Sequence, residues 1–492
     1  MGCAGKLSLL QSSANVSILV MMMMMMISCS LEKGIASEAH YQTLPLSSML
    51  PPFVCNPTTS KGPSRKASMK VVHRFGPCSA RTQDSPTMTE LLRYDESRVN
   101  SIKARVKSLS LGNNTNGEAE KAEMISESKA VNLPAGHESP GGVGNYVVTV
   151  GLGTPKKELD LAFDTGSHIT WTQCKPCAAK CYRQRAAIFD PAASTTYSNL
   201  TCNSAACSGL AAATNNPPRC AAPNTCVYIA TYGDRTFSVG ELGKDRLTLS
   251  STEAVEGFMF GCGQNNQLFY GENAGLMGLG RDSLSIVSQT SKQYGNYFSY
   301  CLPTKTNTDG HLTLGKGGGT AKNFKYTPLL SSQGTGLYFI DILAISVAGR
   351  ELKINPAVFK NGKTIIDSGT VTTRLPPTAY TALRDAFREQ MTMFPAVESN
   401  TSFDTCYDFS KYRNPTIPKI SFTFGGNNAV VDLDPTGVMT PLDETGSLVC
   451  LAFFGNNDDG EVGIFGNLQQ QTLEVVYDVA GGKLGFASGG CS

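Results

Sequence analysis

The strongest constraint in this sequence is a motif that occurs twice. Each copy is an apolar stretch that ends in Asp, a hydroxyl residue, Gly and a second hydroxyl residue; the copies are Ala162-Phe-Asp-Thr-Gly-Ser167 and Ile365-Ile-Asp-Ser-Gly-Thr370. An apolar pair before Gly follows each copy, at 276–278 and at 464–466. A single Asp-Thr-Gly is an ordinary turn. Two copies with matching partners indicate a duplicated unit in which two carboxyl groups carry the chemistry.

The chain from residue 145 onward has the pattern of many short strands. Residues 146–152 alternate in the manner of a half-buried strand and end at a Gly-Thr-Pro turn. The 49 glycines and 25 prolines predict frequent tight turns. The clearest helix is predicted at 378–391, where Leu383, Phe387 and Met391 share one face. Further strands are predicted at 159–163, 226–232, 258–260, 312–314, 337–345, 420–424, 448–454 and 473–477.

The histidine count excludes most hydrolase chemistries. The chain has 5 histidines, and only His168 and His311 lie well inside the β-rich part. Catalysis by Ser-His or Cys-His pairs, and metal sites built from several histidines, therefore have almost no candidate residues. A net charge of +2 gives no reason to expect a nucleic-acid partner. We expect carboxylate chemistry with no metal and no organic cofactor.

Residues 1–30 are predicted to be a cleaved signal peptide. Residues 16–27 form an almost wholly apolar run that contains six consecutive methionines, and small residues follow it. A signal anchor is the alternative, but a membrane span needs about 20 apolar residues. Because the C-terminal residues are not hydrophobic, we expect no stable membrane anchor.

The twelve cysteines of the β-rich part are predicted to form six disulfides, since an even number in an exported chain is typical of a disulfide framework. A zinc knuckle or a redox pair is the alternative for the first three, but no histidine or second Cys-x-x-Cys supports it. Asn199 and Asn400 begin glycosylation sequons, which agree with a secretory route. The cysteines are Cys174, Cys177, Cys181, Cys202, Cys207, Cys220, Cys226, Cys262, Cys301, Cys406, Cys450 and Cys491.

A basic leader precedes an acidic body. Between Lys61 and Lys107 there are 11 Lys or Arg residues against 4 Asp or Glu, a balance of +7, whereas residues 108–492 have a balance of −5. This asymmetry predicts a pro-segment whose basic side chains dock on the body. A solvated linker with no docking role is the alternative.

The leader contains one predicted helix and one predicted cutting site. A capping box at Thr87 and Glu90 indicates the start of an amphipathic helix. Residues 112–144 are rich in Gly, Asn, Ser, Pro and Glu, so they are predicted to be a flexible boundary that proteases cut. The apolar face of the helix is formed by Leu92, Val99, Ile102, Val106 and Leu109.

These motifs resemble those of the pepsin-like (family A1) aspartic peptidases, and in particular the cysteine-rich plant branch typified by the nepenthesins. The resemblance covers about residues 145–491 and implies a mostly β, bilobed acid protease fold with pseudo-twofold related lobes and a cleft between them. It divides the chain into a signal peptide (1–30), a propeptide and linker (31–140), an N-terminal lobe (145–320) and a C-terminal lobe (325–492). Supporting motifs stand at 73–78, 232–234, 260–263, 275–280 and 464–467.

The resemblance implies roles for both Asp loops. Asp164 and Asp367 would be the catalytic pair, sharing one proton and activating a water molecule. The supporting roles are a hydrogen-bonded link across the lobes by Thr165 and Ser368, orientation of the outer carboxylate oxygens by Ser167 and Thr370, and tight turns at Gly166 and Gly369.

It also implies a flap that closes over the substrate. The flap would be formed by Tyr232, Gly233 and Asp234, and Trp171 would be the partner of the Tyr232 hydroxyl. Core filling is the alternative role for this single tryptophan. Two residues depart from the family pattern and bear on subsite preference or pH optimum: His168 and Arg235. The disulfide pairs that the resemblance implies are Cys174–Cys177, Cys181–Cys262, Cys202–Cys226, Cys207–Cys220, Cys301–Cys491 and Cys406–Cys450.

The implied function is a secreted, glycosylated aspartic endopeptidase that is made as a zymogen. Its partners would be protein and peptide substrates, pepstatin-type inhibitors and its own propeptide, and it would be a monomer. The expected location is extracellular (the apoplast), with the vacuole or a plastid as alternatives. Two other classes stay open. One is a catalytically silent relative that acts as an inhibitor or binding protein, and the other is a cell-wall structural glycoprotein, which would not need duplicated Asp loops.

Overall fold

The protein is described by a computed structural model. The residues that the structure describes are 40–49, 67–74, 88–112, 146–233, 235–268, 272–304, 310–316, 321–332, 334–399, 401–443 and 445–491. The predicted signal peptide, nearly all of the predicted boundary at 112–144, Asp234 and Asn400 lie outside these ranges. Within them, no helix combines the length and the apolar composition that a membrane crossing requires.

Strands dominate the architecture, as the sequence predicts. The first half contains β1 (Tyr41–Thr43), β2 (Ser68–His73), β3 (Tyr146–Leu152), β4 (Lys157–Asp164), β5 (Trp171–Gln173), β6 (Ser198–Asn199), β7 (Arg219–Ala221), β8 (Thr225–Thr231), β9 (Phe237–Thr248), β10 (Ala254–Gln267), β11 (Gly275–Gly278), β12 (Tyr297–Cys301), β13 (Gly310–Leu314) and β14 (Lys325–Pro328). The second half contains β15 (Phe339–Ile340), β16 (Ile342–Val347), β17 (Arg350–Glu351), β18 (Thr364–Ile366), β19 (Thr373–Leu375), β20 (Ala396–Val397), β21 (Cys406–Asp408), β22 (Thr416–Pro418), β23 (Ile420–Phe424), β24 (Ala429–Asp432), β25 (Met439–Pro441), β26 (Leu448–Leu451), β27 (Phe453–Gly455), β28 (Gly463–Phe465), β29 (Glu474–Asp478) and β30 (Lys483–Ala487).

Two of the helices confirm predictions from the sequence. The leader helix runs over Met88–Gly112, and the helix predicted at 378–391 runs over Pro377–Gln390, with Leu383, Phe387 and Met391 fully buried. Proline at the first turn of the second helix explains its start, because proline fixes φ and needs no hydrogen-bond acceptor there. The helices are α1 (Met88–Gly112), α2 (Ala205–Thr214), α3 (Ile286–Gln289), α4 (Ser291–Tyr294), α5 (Ala357–Gly362), α6 (Pro377–Gln390) and α7 (Pro435–Val438).

The two Asp motifs lie in matching surroundings. In the first lobe β4 pairs in parallel with β11, so that Asp164 is opposite Gly278. In the second lobe β18 pairs in parallel with β28, so that Ile366 is opposite Phe465. β11 and β28 are buried along their whole length, which explains why both read as continuous apolar runs and not as alternating ones. The duplicated sequence unit is therefore a duplicated structural unit, and the predicted two-lobed, mostly β fold is confirmed.

The largest sheet joins the lobes and includes part of the leader. Its order is β14-β30-β29-β12-β13-β2-β3-β4-β11-β5-β10-β9-β8-β7, with β6 paired to β9. The C-terminal strand β29 thus lies beside β12 of the first half, and β30 lies between β29 and β14. The leader strand β2 lies between β13 and β3, with His73 opposite Tyr146, and β1 pairs with β22. The prediction that the leader docks through its charges is incomplete. The leader also contributes the strands β1 and β2 to the sheets of the fold.

All twelve cysteines of the β-rich part pair in the structure, but four of the six implied pairs are wrong. Cys301–Cys491 and Cys406–Cys450 agree with the implied pairing. The structure replaces the other four with Cys174–Cys262, Cys177–Cys181, Cys202–Cys220 and Cys207–Cys226.

Strand positions and burial explain the corrected pairs. The end of β5 lies beside β10, where the Cys174 N–H donates to the carbonyl oxygen of Gly263 at 2.7 Å, which brings Cys174 within 5.3 Å of Cys262 between Cα atoms. On β8, Cys226 faces the interior and meets the buried Cys207 of α2. The remaining pair of this region, Cys202–Cys220, lies towards the surface.

Candidate active site

The two aspartates of the repeated motif lie at the junction of the lobes. Asp164 is the last residue of β4, and Asp367 directly follows β18. Both side chains are fully buried in the structure, which includes the leader helix. Because each strand is held between buried neighbours, the position of each carboxyl group is determined by the sheet and not by a free loop.

The Asp loops are joined by a reciprocal pair of hydrogen bonds. The Thr165 N–H donates to Oγ of Ser368 at 3.1 Å, and the Ser368 N–H donates to Oγ1 of Thr165 at 2.9 Å. All four groups are buried, so each bond satisfies a polar atom that water cannot reach. The predicted link across the lobes is present, and it sets the distance between the two aspartates.

Glycine is required in each loop because the other loop's carboxylate passes so close. A Cβ atom on Gly166 would lie 2.7 Å from Oδ1 of Asp367, and one on Gly369 would meet Oδ1 of Asp164 even more closely. The two glycines therefore allow the aspartates to approach each other. Each glycine N–H also donates to the aspartate of its own loop, at 2.9 Å for Gly166 and 3.1 Å for Gly369.

The hydroxyl residues that close the motifs differ in what they do. The Thr370 hydroxyl donates to Oδ2 of Asp367 at 2.5 Å, as the resemblance implies. The Ser167 hydroxyl is buried beside Asp164 and lowers the pKa of that carboxyl, but it does not reach regular hydrogen-bond geometry. The predicted contact is therefore closer at Asp367 than at Asp164 in this state of the protein.

A residue of the leader occupies the space between the aspartates. Arg98 of α1 is buried, and its Nη2 atom lies 2.7 Å from Oδ1 of Asp164 and 2.9 Å from Oδ2 of Asp367. Its Nη1 atom reaches Oδ2 of Asp164 at 3.3 Å, and its Nε reaches Oδ2 of Asp367 at 3.1 Å. One guanidinium thus binds both carboxylates in a forked arrangement, the strongest geometry for such a pair.

The two carboxyl groups differ in their affinity for a proton. Burial opposes ionisation of Asp164, but the charge of Arg98 and the hydrogen bonds from Ser167, Arg98 and Gly166 together outweigh it and hold the pKa of Asp164 below its ordinary value. Burial raises the pKa of Asp367, and the charge of Asp164 raises it further against the opposing effect of Arg98. With Arg98 in place, the ionised form is therefore favoured more strongly at Asp164 than at Asp367.

Two of the predicted flap residues, Tyr232 and Gly233, lie over the helix. The Trp171 indole N–H donates to the Tyr232 hydroxyl at 2.9 Å, so the fully buried tryptophan fills the core and positions the flap tyrosine. A Cβ atom on Gly233 would lie 2.6 Å from the Ser97 carbonyl oxygen, so this glycine allows the flap to pack directly on α1. Arg235 has a φ of 66°, a left-handed conformation that glycine adopts at no steric cost.

Further polar contacts hold α1 against the second lobe. The Asp95 carboxylate accepts the N–H groups of Val371 and Thr372 at 2.6 and 3.1 Å, and the Thr372 hydroxyl at 2.6 Å. Lys103 forms an ion pair with Glu461 at 2.7 Å. The contacted residues Val371, Thr372 and Glu461 all belong to the second lobe.

On the other side of the cleft, Arg105 of α1 contacts His168, one of the two residues that depart from the family pattern. Arg105 donates from Nη2 to Nε2 of His168 at 2.6 Å and to the carbonyl oxygen of Thr335. Arginine has no acceptor, so this contact is a hydrogen bond only while Nε2 of His168 carries no proton; a protonated Nε2 can instead donate to the Thr335 carbonyl oxygen, 3.1 Å away. Burial and the charge of Arg105 lower the pKa of His168 to about 4, against the opposing effect of Asp282.

The apolar face of α1 finds its partner in the second lobe. Val99 and Ile102 pack in a cluster with Phe339 and Ile464, and Leu92 packs in another with Phe454. Burial of each side chain of this size contributes about 1.5–3 kcal/mol. The predicted amphipathic helix is confirmed, and its apolar contacts hold it along the cleft.

The sequence predicted the helix but not the residues that hold it in the cleft. Arg98 and Asp95 fell within the basic leader as ordinary charges. One signal was available: Arg98 precedes the apolar Ile102 by four residues, so it lies beside the buried face and not on the exposed one. Asn199 is exposed on β6, as a glycosylation site requires. In the described ranges, no group of three or more His, Cys, Asp or Glu side chains is arranged to bind a metal ion.

Comparison with known proteins agrees with this architecture. Two family models match the chain, "Xylanase inhibitor N-terminal" over residues 146–316 and "Xylanase inhibitor C-terminal" over residues 337–488. The crystal structure of edgp covers 70% of this chain and 91% of its own, with a TM-score of 0.57 at 22% identity. Basic 7S globulin from soybean covers the same shares with a TM-score of 0.54 at 22% identity. At this level of identity, the two structures show a shared fold.

Curated plant relatives are much more similar in sequence. An aspartyl protease family protein of Arabidopsis thaliana is 47% identical over 461 residues, which is 92% of this chain and 94% of the relative. Aspartyl protease AED1 of the same species is 44% identical over 91% of this chain and 92% of its own. Aspartic proteinase nepenthesin-1 of Nepenthes gracilis is 36% identical over 73% of this chain and 82% of its own.

A two-lobed β fold whose paired aspartate loops meet at the lobe junction defines the pepsin-like aspartic peptidases. Within that class, this chain belongs to the aspartyl protease family of plants, in its nepenthesin-type branch.

Proposed function

We propose that the chain is a secreted, glycosylated aspartic endopeptidase that is made as an inactive zymogen and hydrolyses peptide bonds in proteins. Asp164 and Asp367 are its catalytic residues. The carrying observation is that a single atom, Nη2 of Arg98, lies 2.7 Å from one carboxylate and 2.9 Å from the other. Two carboxyl groups that both reach one nitrogen atom also both reach one water molecule once Arg98 has left.

Once Arg98 has left, two adjacent carboxyl groups share one proton, so one acts as the base and the other as the acid, and we assign the base to Asp164. Asp164, as the ionised member, takes a proton from the water, whose oxygen forms a bond to the scissile carbonyl carbon. Asp367 gives its proton to the carbonyl oxygen, which produces a neutral tetrahedral intermediate. The C–N bond then breaks as Asp164 returns its proton to the leaving nitrogen, and Asp367 recovers a proton from the intermediate. Two aspartates whose pKa values are pushed apart suit this division of roles, as in pepsin.

The leader supports the zymogen part of the proposal. Arg98 fills the place of the attacking water, and α1 fills the cleft beneath the flap. Cleavage at 112–144 followed by release of α1 would open the site. The apolar run at 16–27 and the sequons support the secretory route, and we place the protein in the apoplast, with the vacuole as the alternative compartment.

The alternative is a catalytically silent inhibitor or binding protein. The printed name of the matching family models refers to xylanase inhibitors. The present chain retains both aspartates and both motif glycines in the arrangement that the chemistry needs, which favours the enzyme.

The deciding experiment is digestion of a denatured globin by the purified, acid-treated protein between pH 2 and 7. We expect fragments at acidic pH that pepstatin suppresses. A matched sample of the Asp164→Asn variant controls for contaminating proteases. Intact globin at every pH, with the leader already removed from the protein, would contradict the proposed function.

A further inference from the structure

The place where Asp95 binds has the composition of a carboxylate site. Its donors are two backbone N–H groups, those of Val371 and Thr372 at 2.6 and 3.1 Å, and the Thr372 hydroxyl at 2.6 Å. Arg374 lies behind them, with Nη2 3.6 Å from Oδ2 of Asp95. Three converging donors satisfy both oxygens of a carboxyl group, and they and Arg374 favour its ionised form against the burial that raises the pKa of Asp95.

Arg374 itself is held ready for an anion. Its side chain is only 7% exposed, and its guanidinium lies 4.4 Å from the centre of the Phe454 ring. Its carboxylate partners in the described part of the chain, Asp95 and Glu96, both belong to the leader helix. Its Nε atom is buried without a hydrogen bond to a described residue.

Departure of the leader helix would therefore leave the Arg374 guanidinium in the emptied cleft without these two carboxylates. Its packing against the Phe454 ring limits its hydration, which favours a new anionic partner. The donors of Val371 and Thr372 belong to the loop that begins with Asp367, so they stay at the edge of the substrate cleft after the helix has gone.

We propose that Val371, Thr372 and Arg374 form a substrate subsite that selects an acidic side chain, Asp or Glu, near the scissile bond, and that Asp95 occupies this subsite in the uncut chain. This inference rests on the proposed function, since it names part of the substrate that the same cleft accepts. Arg374 is a specificity residue and takes no part in the proton transfers.

The position of the acidic residue follows from the helix geometry. Asp95 and Arg98 are separated by about 4.5 Å along the helix axis, at 1.5 Å per residue. An extended substrate advances about 3.3 Å per residue. Allowing for the reach of the side chains, the acidic residue should lie within about three residues of the bond that is cut.

The test uses acid-processed protein made from the full chain and pairs of peptides that differ only by Asp or Asn. The pairs place this residue at each of about three positions on either side of one scissile bond. We expect one position at which kcat/KM for the Asp peptide exceeds that for the Asn peptide about tenfold or more, mainly through KM. In Arg374→Gln this ratio should fall to about one, and Arg374→Lys should restore part of it.

Two further variants control for poor folding of Arg374→Gln and for the loss of an arginine elsewhere in the same lobe. Thr372→Val preserves shape and removes one donor, so it should lower the Asp/Asn ratio even if Arg374→Gln folds poorly. Arg350→Gln removes an exposed arginine of the same lobe and should leave the ratio unchanged. A ratio near one at every position in the unmodified protein would overturn the subsite while leaving the peptidase intact.

Failure of the proposed function would have a different signature. No peptide of any pair would be cut. The subsite is then read from dissociation constants of non-cleavable analogues, in which the scissile amide is reduced to a methyleneamine. Tighter binding of the Asp analogue that is lost in Arg374→Gln supports the subsite, and equal binding of Asp and Asn analogues at every position refutes it.

Discussion

Arg98 places its Nη2 atom 2.7 Å from Oδ1 of Asp164, deep in the cleft between the lobes. Both side chains are almost fully buried, so neither can exchange its partner for water while the leader helix stays in place. An arginine remains charged at any accessible pH, and the charge of Asp164 raises its pKa further. Because Arg98 keeps its charge, acid can release the helix only through Asp164 or through the groups around this ion pair.

The latency of the uncut chain should depend on Arg98. In Arg98→Ala, residues 31–492 should cleave a fluorogenic peptide near pH 6 at least about tenfold faster than the unmodified chain, because removal of a buried ion-pair partner costs the docked helix about 3 kcal/mol. The measurement is the initial rate, with gel electrophoresis of the same sample showing that the chain is uncut.

Arg93→Ala is the matched control, since Arg93 is an exposed arginine on the same helix. Its uncut chain should stay as inactive as the unmodified one. If Arg98→Ala were equally inactive while uncut, and became active only after processing, the ion pair would not be the source of latency.

Each aspartate should be indispensable for turnover. Asp164→Asn and Asp367→Asn should each lower kcat by about 10³-fold or more, because one shared proton needs two carboxyl groups. Asparagine retains the shape of aspartate, so circular dichroism and the melting temperature of the processed variants should change little. Substantial turnover by either variant would rule out the two-carboxylate mechanism.

Tyr232 should affect catalysis more than stability. Tyr232→Ala removes the acceptor of the Trp171 indole N–H and the ring that closes the flap, and we expect kcat/KM to fall about tenfold, or about 1.4 kcal/mol in transition-state stabilisation. Tyr232→Phe keeps the ring and removes only the hydroxyl, so it separates the two contributions. A lowered melting temperature with unchanged kinetics would place Tyr232 among purely structural residues.

Acid release of the helix should depend on His168. Its pKa is about 4 when the helix is docked, against an ordinary value of about 6.5. The docked state thus binds fewer protons, so the contribution of His168 to docking is complete above about pH 6.5 and is lost as the pH falls towards 4. Protonation also sets a second cation against Arg105, with Asp282 as the nearby carboxylate that opposes this effect.

The carboxylates of the docked interface do not all act in the same direction. Glu461, with a pKa lowered by Lys103 against the effect of burial, and Asp164 both lose their contribution on acidification. Burial raises the pKa of Asp95, so this group favours docking as the pH falls. His168→Gln removes a group that gains a proton when the helix is released. It should therefore lower the pH of half-release by about half a unit or more.

Release is followed by size-exclusion chromatography and activity as the pH of the full chain is lowered. His40→Gln, at an exposed histidine of the leader, is the control and should leave the midpoint unchanged. An identical midpoint in His168→Gln would show that other groups drive the release.

Local chemistry was sufficient to predict the two Asp loops and most of the elements around them. The two Asp-hydroxyl-Gly motifs mark turns at strand ends, and an alternating or continuous apolar run reports burial on one or both faces. The helix α6 and strand β23 agree with their predicted bounds to within a residue or two. The amphipathic leader helix was also predictable, since its apolar residues recur with the period of a helix.

Pairings between distant segments depended on the fold. The bonds of Cys174 to Cys262 and of Cys207 to Cys226 follow from the placement of β5 beside β10 and from the inward face of β8. The insertion of β2 between β13 and β3 also depended on the fold, because a strand's sequence does not specify its neighbour.

The sequence by itself therefore determined which groups are available: two aspartates on tight turns, a flap tyrosine with one tryptophan, and a basic leader with one apolar helical face. The tertiary structure decided how they meet. It selected Arg98 among the basic residues of the leader to bind the two aspartates, and Asp95 to bind beside Arg374. The reason is physical. Residue type sets charge and hydrogen-bonding capacity locally, whereas burial and distance, which give an ion pair its strength, exist only after the helix has packed into the cleft.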